Sequence, residues 1–231
     1  MSEALFAKYV FEVWDGLSCQ ESSKPRYLQL LMLVSVHAFI REGVDVAIYE
    51  THSGGEYDAT NVIQKPIVTG ITTIGMDHVE QLGPSIENIA WHKSGIFKPG
   101  SPAFSTLQES AAAEVLKDRA AKKGVTLDFV NVSPLLPTNA RALKPEVQRT
   151  NSSLALALVS AFLEKRAPKS HRNLTLHDVL QGIEQFFWLG RFHQIIDGNH
   201  HWFIDGAHNE LSVQKAAQWF AASVSEMQRY I

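Results

Sequence analysis

Apolar residues recur along this chain in two rhythms, and the places where the rhythm changes divide it into elements. Over residues 3–14 (EALFAKYVFEVW), Phe6, Val10, Val13 and Trp14 share one side of a 3.6-residue period, so the chain opens inside an amphipathic helix with no strand before it. A polar stretch over 15–26 follows. Helical spacing returns over 27–42, with Leu28, Leu31, Met32, Val36, Phe39 and Ile40 on the predicted core side and Gly43 placed to close the helix. Two compact apolar runs, 44–49 and 67–74, predict buried strands, the second opened by Pro66, where proline is tolerated. Pro84 is predicted at a first helical position, followed by Ile86, Ile89, Ala90 and Lys93, with Gly95 as the stop. Lys93 thus falls on or beside a buried helix face, an unusual place for a lysine.

Further along, 102–105 and 125–132 read as strands around an Ala-rich helix, 108–123, that Gly124 ends. Strands separated by helices predict an α/β fold with a largely parallel sheet flanked by helices. Residues 133–145 are irregular. Helices are predicted over 147–166 and 176–187, the latter with Thr175 as N-cap. A boundary falls near 188–192. Beyond it, 192–196 and 200–204 flank Asp197-Gly198-Asn199, a hairpin turn, and Asp205-Gly206-Ala207-His208-Asn209 leads into a helix over 211–221. One hairpin and one helix cannot enclose a core. The expected organisation is therefore a large domain over 1–190 and the beginning of a second over 191–231.

Composition changes this picture little. With 45% hydrophobic and 19% charged residues, the 231-residue chain is ordinary for a soluble globular protein. A net charge of −3 with both signs interspersed gives no reason to expect a nucleic-acid or anionic-membrane partner. The single Cys19 excludes an internal disulfide and is read as a spectator thiol in a polar loop. The longest apolar stretch, 28–40, is too short to span a bilayer, and the charged N-terminal helix is neither a signal nor a transit peptide. A cytosolic protein is the default expectation.

Candidate chemistry gathers where the two apolar runs end. Ligands of open α/β sheets sit beyond the carboxyl ends of strands. The first run ends in Glu50, Ser53, Gly54, Gly55, Asp58 and Asn61; the second ends in Asp77 and His78. Taken singly, Glu50 reads as a solvated strand-end carboxylate, Asp77 as a cap, and Asp58 and Asn61 as turn formers. Repetition at neighbouring strand ends favours a shared metal or phosphate site. A carboxylate with an imidazole suits zinc or manganese, whereas magnesium prefers oxygen ligands. The ten histidines show no zinc spacing, no serine or cysteine stands in a nucleophile elbow, and no G-x-x-x-x-G-K-[ST] loop is present. Arg191 and Asp205–His208 form a second group suited to nucleotide contacts.

These segments together resemble the folylpolyglutamate synthase branch of the Mur-ligase-type family of ADP-forming amide ligases. ETHSGGEYDATN is similar to E-V-G-x-G-G-x-x-D-x-T-N. GITTIGMDHVEQLGPSIENIAWHKSGIFKPGSPAF is similar to the segment carrying D-H and the I-A-x-x-K-x-G-I-x-K helix. RTNSSLALAL, WLGRFHQI and FIDGAHN are similar to x-N-x-x-L-A-L-A-L, W-P-G-R and D-G-A-H, in the same order. The resemblance implies a Mur-ligase-type central domain, P-loop NTPase-like but without its P-loop, joined to the start of a Rossmann-like C-terminal domain.

It also implies roles. Glu50 and His78 would bind magnesium, Lys93 would be carbamylated and help hold a second magnesium, Asn151 and Arg191 would contact ATP, Asp205 would hold the nucleotide, and His208 would sit near the transferring phosphoryl group. Lys93 and His208 are thus the implied catalytic residues. The implied reaction is ATP-dependent addition of L-glutamate to the γ-carboxylate of a folate through an acyl phosphate, in one-carbon metabolism, by a monomer in the cytoplasm or a mitochondrial form. Dihydrofolate synthase is the sister activity, and a non-catalytic remnant is the third reading. Thr51, His52 and Ser53, Leu189, and Asn209-Glu210 depart from the family's more frequent residues. The resemblance further implies a P-loop and an S-P-H segment before position 1 and more of the second domain beyond 231. Without the P-loop's backbone cradle, ATP affinity is expected to collapse.

Overall fold

The computed structural model describes the backbone of residues 1–18, 24–171 and 173–228. Cys19 lies outside the described residues. The chain divides into two compact units, Met1–Gln64 and Lys65–Ile231.

The first unit is built on a pair of helices, α1 (Glu3–Ser18) and α2 (Tyr27–Glu42). They pack through Tyr9, Val34 and Ala38, with Leu5, Val10, Val13 and Leu30 around them. The buried stripe of α1 is therefore centred on Tyr9, and Phe6, predicted on the core side, is 42% exposed. Polar bonds explain the rotation. The Tyr9 hydroxyl bonds Glu42, and the Glu12 carboxylate meets His37 at 2.6 Å and Arg41 at 3.5 Å, so α1 turns this edge toward α2. The His37 contact and the Arg41 charge outweigh burial and hold Glu12 below the ordinary carboxylate range. Gly43 ends α2 at φ 62°, as the sequence predicts.

The strand expected over 44–49 does not form. Its residues make no ladder, and Val44, Val46 and Ile48 are exposed at 43%, 48% and 84%. An apolar run becomes a strand only where a neighbour takes its backbone groups, and this segment has none among the described residues.

The second unit holds a parallel sheet of three short strands, β1 (Thr69–Ile71), β2 (Ala103–Thr106) and β3 (Leu127–Val130), in that order. Register is direct: Thr69 opposite Ala103, and Ala103 opposite Leu127. After β1 come a single turn, α3 (Val79–Leu82), and α4 (Ile86–Lys93). Ser85 caps α4, its Oγ accepting the Asn88 N–H at 3.3 Å, so Pro84 precedes the cap rather than occupying the first helical position. Between β2 and β3 lies α5 (Ser110–Lys123).

One face of the sheet meets α4 and α5 in a core of Ile71, Ile74, Leu82, Ile89, Ala90, Phe97, Ala103, Ala112, Leu116 and Ala120. The other face carries α6 (Glu146–Arg166), which packs against all three strands. Gly70, adjacent to Ile71 and so pointing the opposite way, lies where a Cβ would come 2.7 Å from Leu158 of α6. That glycine sets how closely α6 lies on the sheet.

α7 (Leu176–Glu184) starts at a Thr175–Asp178 capping box. The hairpin β4 (His193–Asp197) and β5 (His200–Ile204) turns through Gly198 and Asn199, and α8 (Glu210–Gln228) follows. No helix among the described residues is long and apolar enough to cross a membrane.

Candidate functional site

The exit of β1 is shaped by one side chain. Gln108, just past β2, accepts the Ile74 N–H at 2.9 Å and donates to the Thr72 carbonyl at 2.9 Å, to Ser105 Oγ at 2.9 Å and to Thr106 Oγ1 at 3.2 Å. Its amide thus does what a neighbouring strand would do, beyond the point where β1 and β2 pair. Ile74 plugs into the core, 5% exposed. Gly75 then lets α8 approach, since a Cβ there would lie 3.0 Å from Leu211.

His78 follows at φ 50°, a left-handed conformation uncommon for residues other than glycine. Asp77 holds it there, Oδ1 accepting the His78 N–H at 2.9 Å. The other oxygen of Asp77 accepts from Asn209 Nδ2 at 3.2 Å and lies 3.5 Å from His208 Nε2 and 3.9 Å from His78 Nε2. Burial pushes the Asp77 carboxyl up. The His78 amide, the Asn209 side chain and the two imidazoles outweigh it and hold the group below its ordinary value. Lys93, at the end of α4, is half-buried, and desolvation draws its ammonium below the usual lysine value against the raising field of Asp77. A lysine so placed is nearer the neutral amine that carbamylation needs.

A second set of bonds surrounds Arg191. Gly190 at φ 73° and Phe192 at φ 47° bracket it in left-handed conformations. The Phe192 N–H donates to Asp205 Oδ2 at 2.8 Å, and the Gly206 N–H to the Gly190 carbonyl at 2.8 Å. A side chain at 206 would collide with the Arg191 guanidinium. The D-G-A-H and W-L-G-R segments are therefore one tied structure. Beside them, a cavity of about 220 Å³ is lined in part by Lys144, Glu146, Phe192, Lys215 and Trp219, with Lys215 and Glu146 4.0 Å apart.

The second unit thus brings Asp77, His78, His208 and Asn209 together, with Arg191 and Asp205 joined through the 205–208 loop. Asn151 stands on α6 and takes no part in these bonds. Glu50 belongs to the first unit, exposed at the end of the extended 44–49 segment. In that unit Asp58 folds the Gly-rich loop. Its carboxylate accepts the His52, Ser53 and Thr60 N–H groups at 2.9, 3.0 and 2.9 Å, and Gly54 takes φ 69°. Asp58 is a turn former, and Asn61, bonded to the Glu56 carbonyl at 2.9 Å, is another.

Among the described residues, no three His, Cys, Asp or Glu side chains form a metal cage. That donor set does not fit a structural zinc. Magnesium, which keeps several waters and takes few protein ligands alongside phosphate oxygens, would not need such a cage.

No family model matches the chain. Among curated proteins it is 46% identical to the folylpolyglutamate synthase of Neurospora crassa, over 95% of this chain and 44% of that protein. It is 39% identical to that of Saccharomyces cerevisiae (strain AWRI796), over 97% of this chain and 44% of that protein. By sequence, the chain is homologous to the folylpolyglutamate synthases. It spans under half the length of these relatives. The fold agrees with folylpolyglutamate synthase structures. The Mycobacterium tuberculosis enzyme complexed with ADP and AMPPCP is 26% identical, covering 96% of this chain and 55% of that one, with a TM-score of 0.77. The apo form of L. casei FPGS is 23% identical, covering 96% and 59%, with a TM-score of 0.81.

Three participants escape sequence reasoning. Gln108 reads only as the first residue of a helix and Phe192 as the first of a strand, and Asn209 reads only as a departure from the synthase pattern. The one available signal was Asn209 itself, three residues before Ser212 at a helix start, a capping spacing.

Proposed function

We propose that this chain is the phosphoryl-transfer part of a folylpolyglutamate synthase, which adds L-glutamate to the γ-carboxylate of a folate. The observation that carries the reading is the 46% identity to the Neurospora synthase across 95% of the chain. The clustering of Asp77, His78 and His208 at a strand exit supports it. So does the M. tuberculosis synthase, solved with ADP and AMPPCP. A γ-carboxylate oxygen of the folate attacks the γ-phosphorus of ATP, and ADP leaves. The glutamate amine then attacks the acyl carbon, the phosphate departs, and the nitrogen loses a proton to give the amide.

Glu50 and His78 are the proposed magnesium ligands, and the chemistry bound magnesium supplies is neutralisation of charge on the phosphoryl oxygens. Lys93, as a carbamate, is proposed to add a further anionic ligand. Asn151, Arg191 and Asp205 bind and orient the nucleotide. His208, tethered through its Nδ1 to the Gly206 carbonyl at 2.9 Å, presents Nε2 toward the Asp77 side of the cluster, where it can stabilise the transferring group. Residues 191–231 are read as the opening of the glutamate-ligating domain, and the protein as a cytosolic monomer.

The test places this chain in the Neurospora synthase in place of its matching segment. Labelled glutamate incorporation into tetrahydrofolate is measured together with ADP release. Activity that His78→Ala, Lys93→Ala and His208→Ala each reduce by at least tenfold supports the reading. A folded chimera that adds no glutamate, or that joins glutamate only to dihydropteroate, overturns it.

A further inference from the structure

Asn209 engages both ends of its side-chain amide. Oδ1 accepts the Ser212 N–H at 3.0 Å and the Ser212 hydroxyl at 2.8 Å, which caps the start of α8. Nδ2 donates to Asp77 Oδ2 at 3.2 Å, across 132 residues of sequence. Only one orientation serves both. Turned over, the amide would set its NH2 against the Ser212 N–H and its oxygen against a carboxylate. The cap therefore fixes the donor, and the donor points at the β1 exit. Ser212 Oγ returns the arrangement by accepting the backbone N–H groups of Asn209 at 3.1 Å and His208 at 3.2 Å. His208, the start of α8, Asp77 and His78 are in this way one hydrogen-bonded body.

We propose that Asn209 is a positioning residue for phosphoryl transfer. Through Asp77 it holds the His208 imidazole in a fixed relation to the Asp77–His78 exit, so that the group facing the transferring phosphoryl and the group on the metal side move together. The inference rests on the ligase reading above. It separates Asn209 from a plain helix cap, and from Arg191 and Asp205, which are proposed to hold the nucleotide itself.

Serine makes the separating variant. Asn209→Ser keeps a good N-cap but is too short to reach Asp77, whereas Asn209→Ala loses both bonds. In the 231-residue chain, hydrogen exchange reads the bridge directly. Asn209→Ser leaves α8 as protected as before and speeds exchange over 75–79 and 206–208 by about fivefold, the scale of one lost net hydrogen bond. Asn209→Ala also loosens α8. In the active chimera, Asn209→Ser lowers kcat by about tenfold with KM for ATP within twofold, the pattern expected when the group it positions, His208, acts only in the transition state. Unchanged exchange over 75–79 in Asn209→Ser overturns the proposal, since the residue is then a cap alone. A raised KM for ATP at constant kcat also overturns it, because Asn209 would then act on nucleotide binding. If the unsubstituted chimera is inactive while exchange responds as stated, the bridge stands and the ligase reading fails, so the two are told apart.

Discussion

Replacing Gln108 by alanine removes four hydrogen bonds, but they do not count equally. The Thr72 carbonyl is on an exposed residue and turns to water at little cost. Thr106 Oγ1 keeps its 3.4 Å contact with Thr73, and Ser105 Oγ keeps donating to the Thr106 carbonyl at 2.8 Å. The Ile74 N–H is different. It belongs to a residue 5% exposed and loses the acceptor that holds it. A buried donor left unpaired costs about 1–3 kcal/mol. Gln108→Ala is therefore expected to destabilise the second unit by about 2 kcal/mol, a factor of roughly 30 in its opening equilibrium. The loss should concentrate in 72–78. Gln108→Glu refines the test, because a carboxylate can still accept from Ile74 but sets an oxygen against the Thr72 carbonyl. It should be no more stable than the alanine variant. Urea midpoints at unchanged m, with exchange rates at the Ile74 amide, measure both effects. If Gln108→Ala stays within 0.5 kcal/mol and Ile74 exchange does not change, the side chain is not acting as a surrogate strand and the account of the β1 exit is wrong.

Other expectations are read in the same way. Gly70→Ala should cost about 1–3 kcal/mol by overpacking against Leu158, and less in a Leu158→Ala background, as a double-mutant cycle in urea would show. Leu116→Ala, at a site 0% exposed, should cost about 2–5 kcal/mol by the same assay. Asp58 is also held below its ordinary value, burial raising it but the Ser53 and Thr60 bonds and His52 prevailing. A depressed native value means its stabilisation is whole above the ordinary aspartate value of about 4 and is lost as pH falls through the lower native one. Asp58→Asn should therefore lower stability at pH 7 by about 2 kcal/mol and flatten the acid limb of an unfolding titration. Lys93→Arg, which keeps the cation but cannot become a neutral amine, should abolish any carbamate signal from 13C-bicarbonate by NMR.

Legibility followed the range of the forces involved. The helices predicted over 27–42 and 108–123 form, the second from Ser110, and their C-terminal ends are plain because they are set locally, by Gly43 and Gly124 in left-handed conformations. The sequence predicts the α4 start at Pro84, two residues before Ile86, because proline suits a first helical position, whereas the Ser85 hydroxyl does the capping. The 44–49 run failed as a strand, since apolar composition says that a segment can be buried, while a ladder needs a partner that composition does not specify. On α1 the apolar period pointed to Phe6, yet the Glu12–His37 and Tyr9–Glu42 bonds to α2 selected the face beside it. In the candidate site, His78, Lys93, Arg191, Asp205 and His208 were visible as residue types in familiar order. The bonds that orient them were not, because Asp77–Asn209, Phe192–Asp205 and Gln108–Ile74 join positions that no local period relates.

Among the described residues, two that are not glycine are left-handed, His78 and Phe192, and they show how those bonds matter. Such a conformation is disfavoured and persists where neighbours over-determine it. At His78 the neighbour is Asp77, whose carboxylate takes the His78 N–H; at Phe192 it is Asp205, whose carboxylate takes the Phe192 N–H. Both aspartates thus fix a backbone turn with one oxygen. For Asp77 the second oxygen faces Asn209 and His208, so the group that sets the turn also meets the D-G-A-H loop. Asp77→Asn can keep the backbone bond through its amide oxygen while losing the anion that attracts Asn209 and both imidazoles. The two roles of this side chain are therefore separable, and the conformation of His78 should survive a substitution that frees His208.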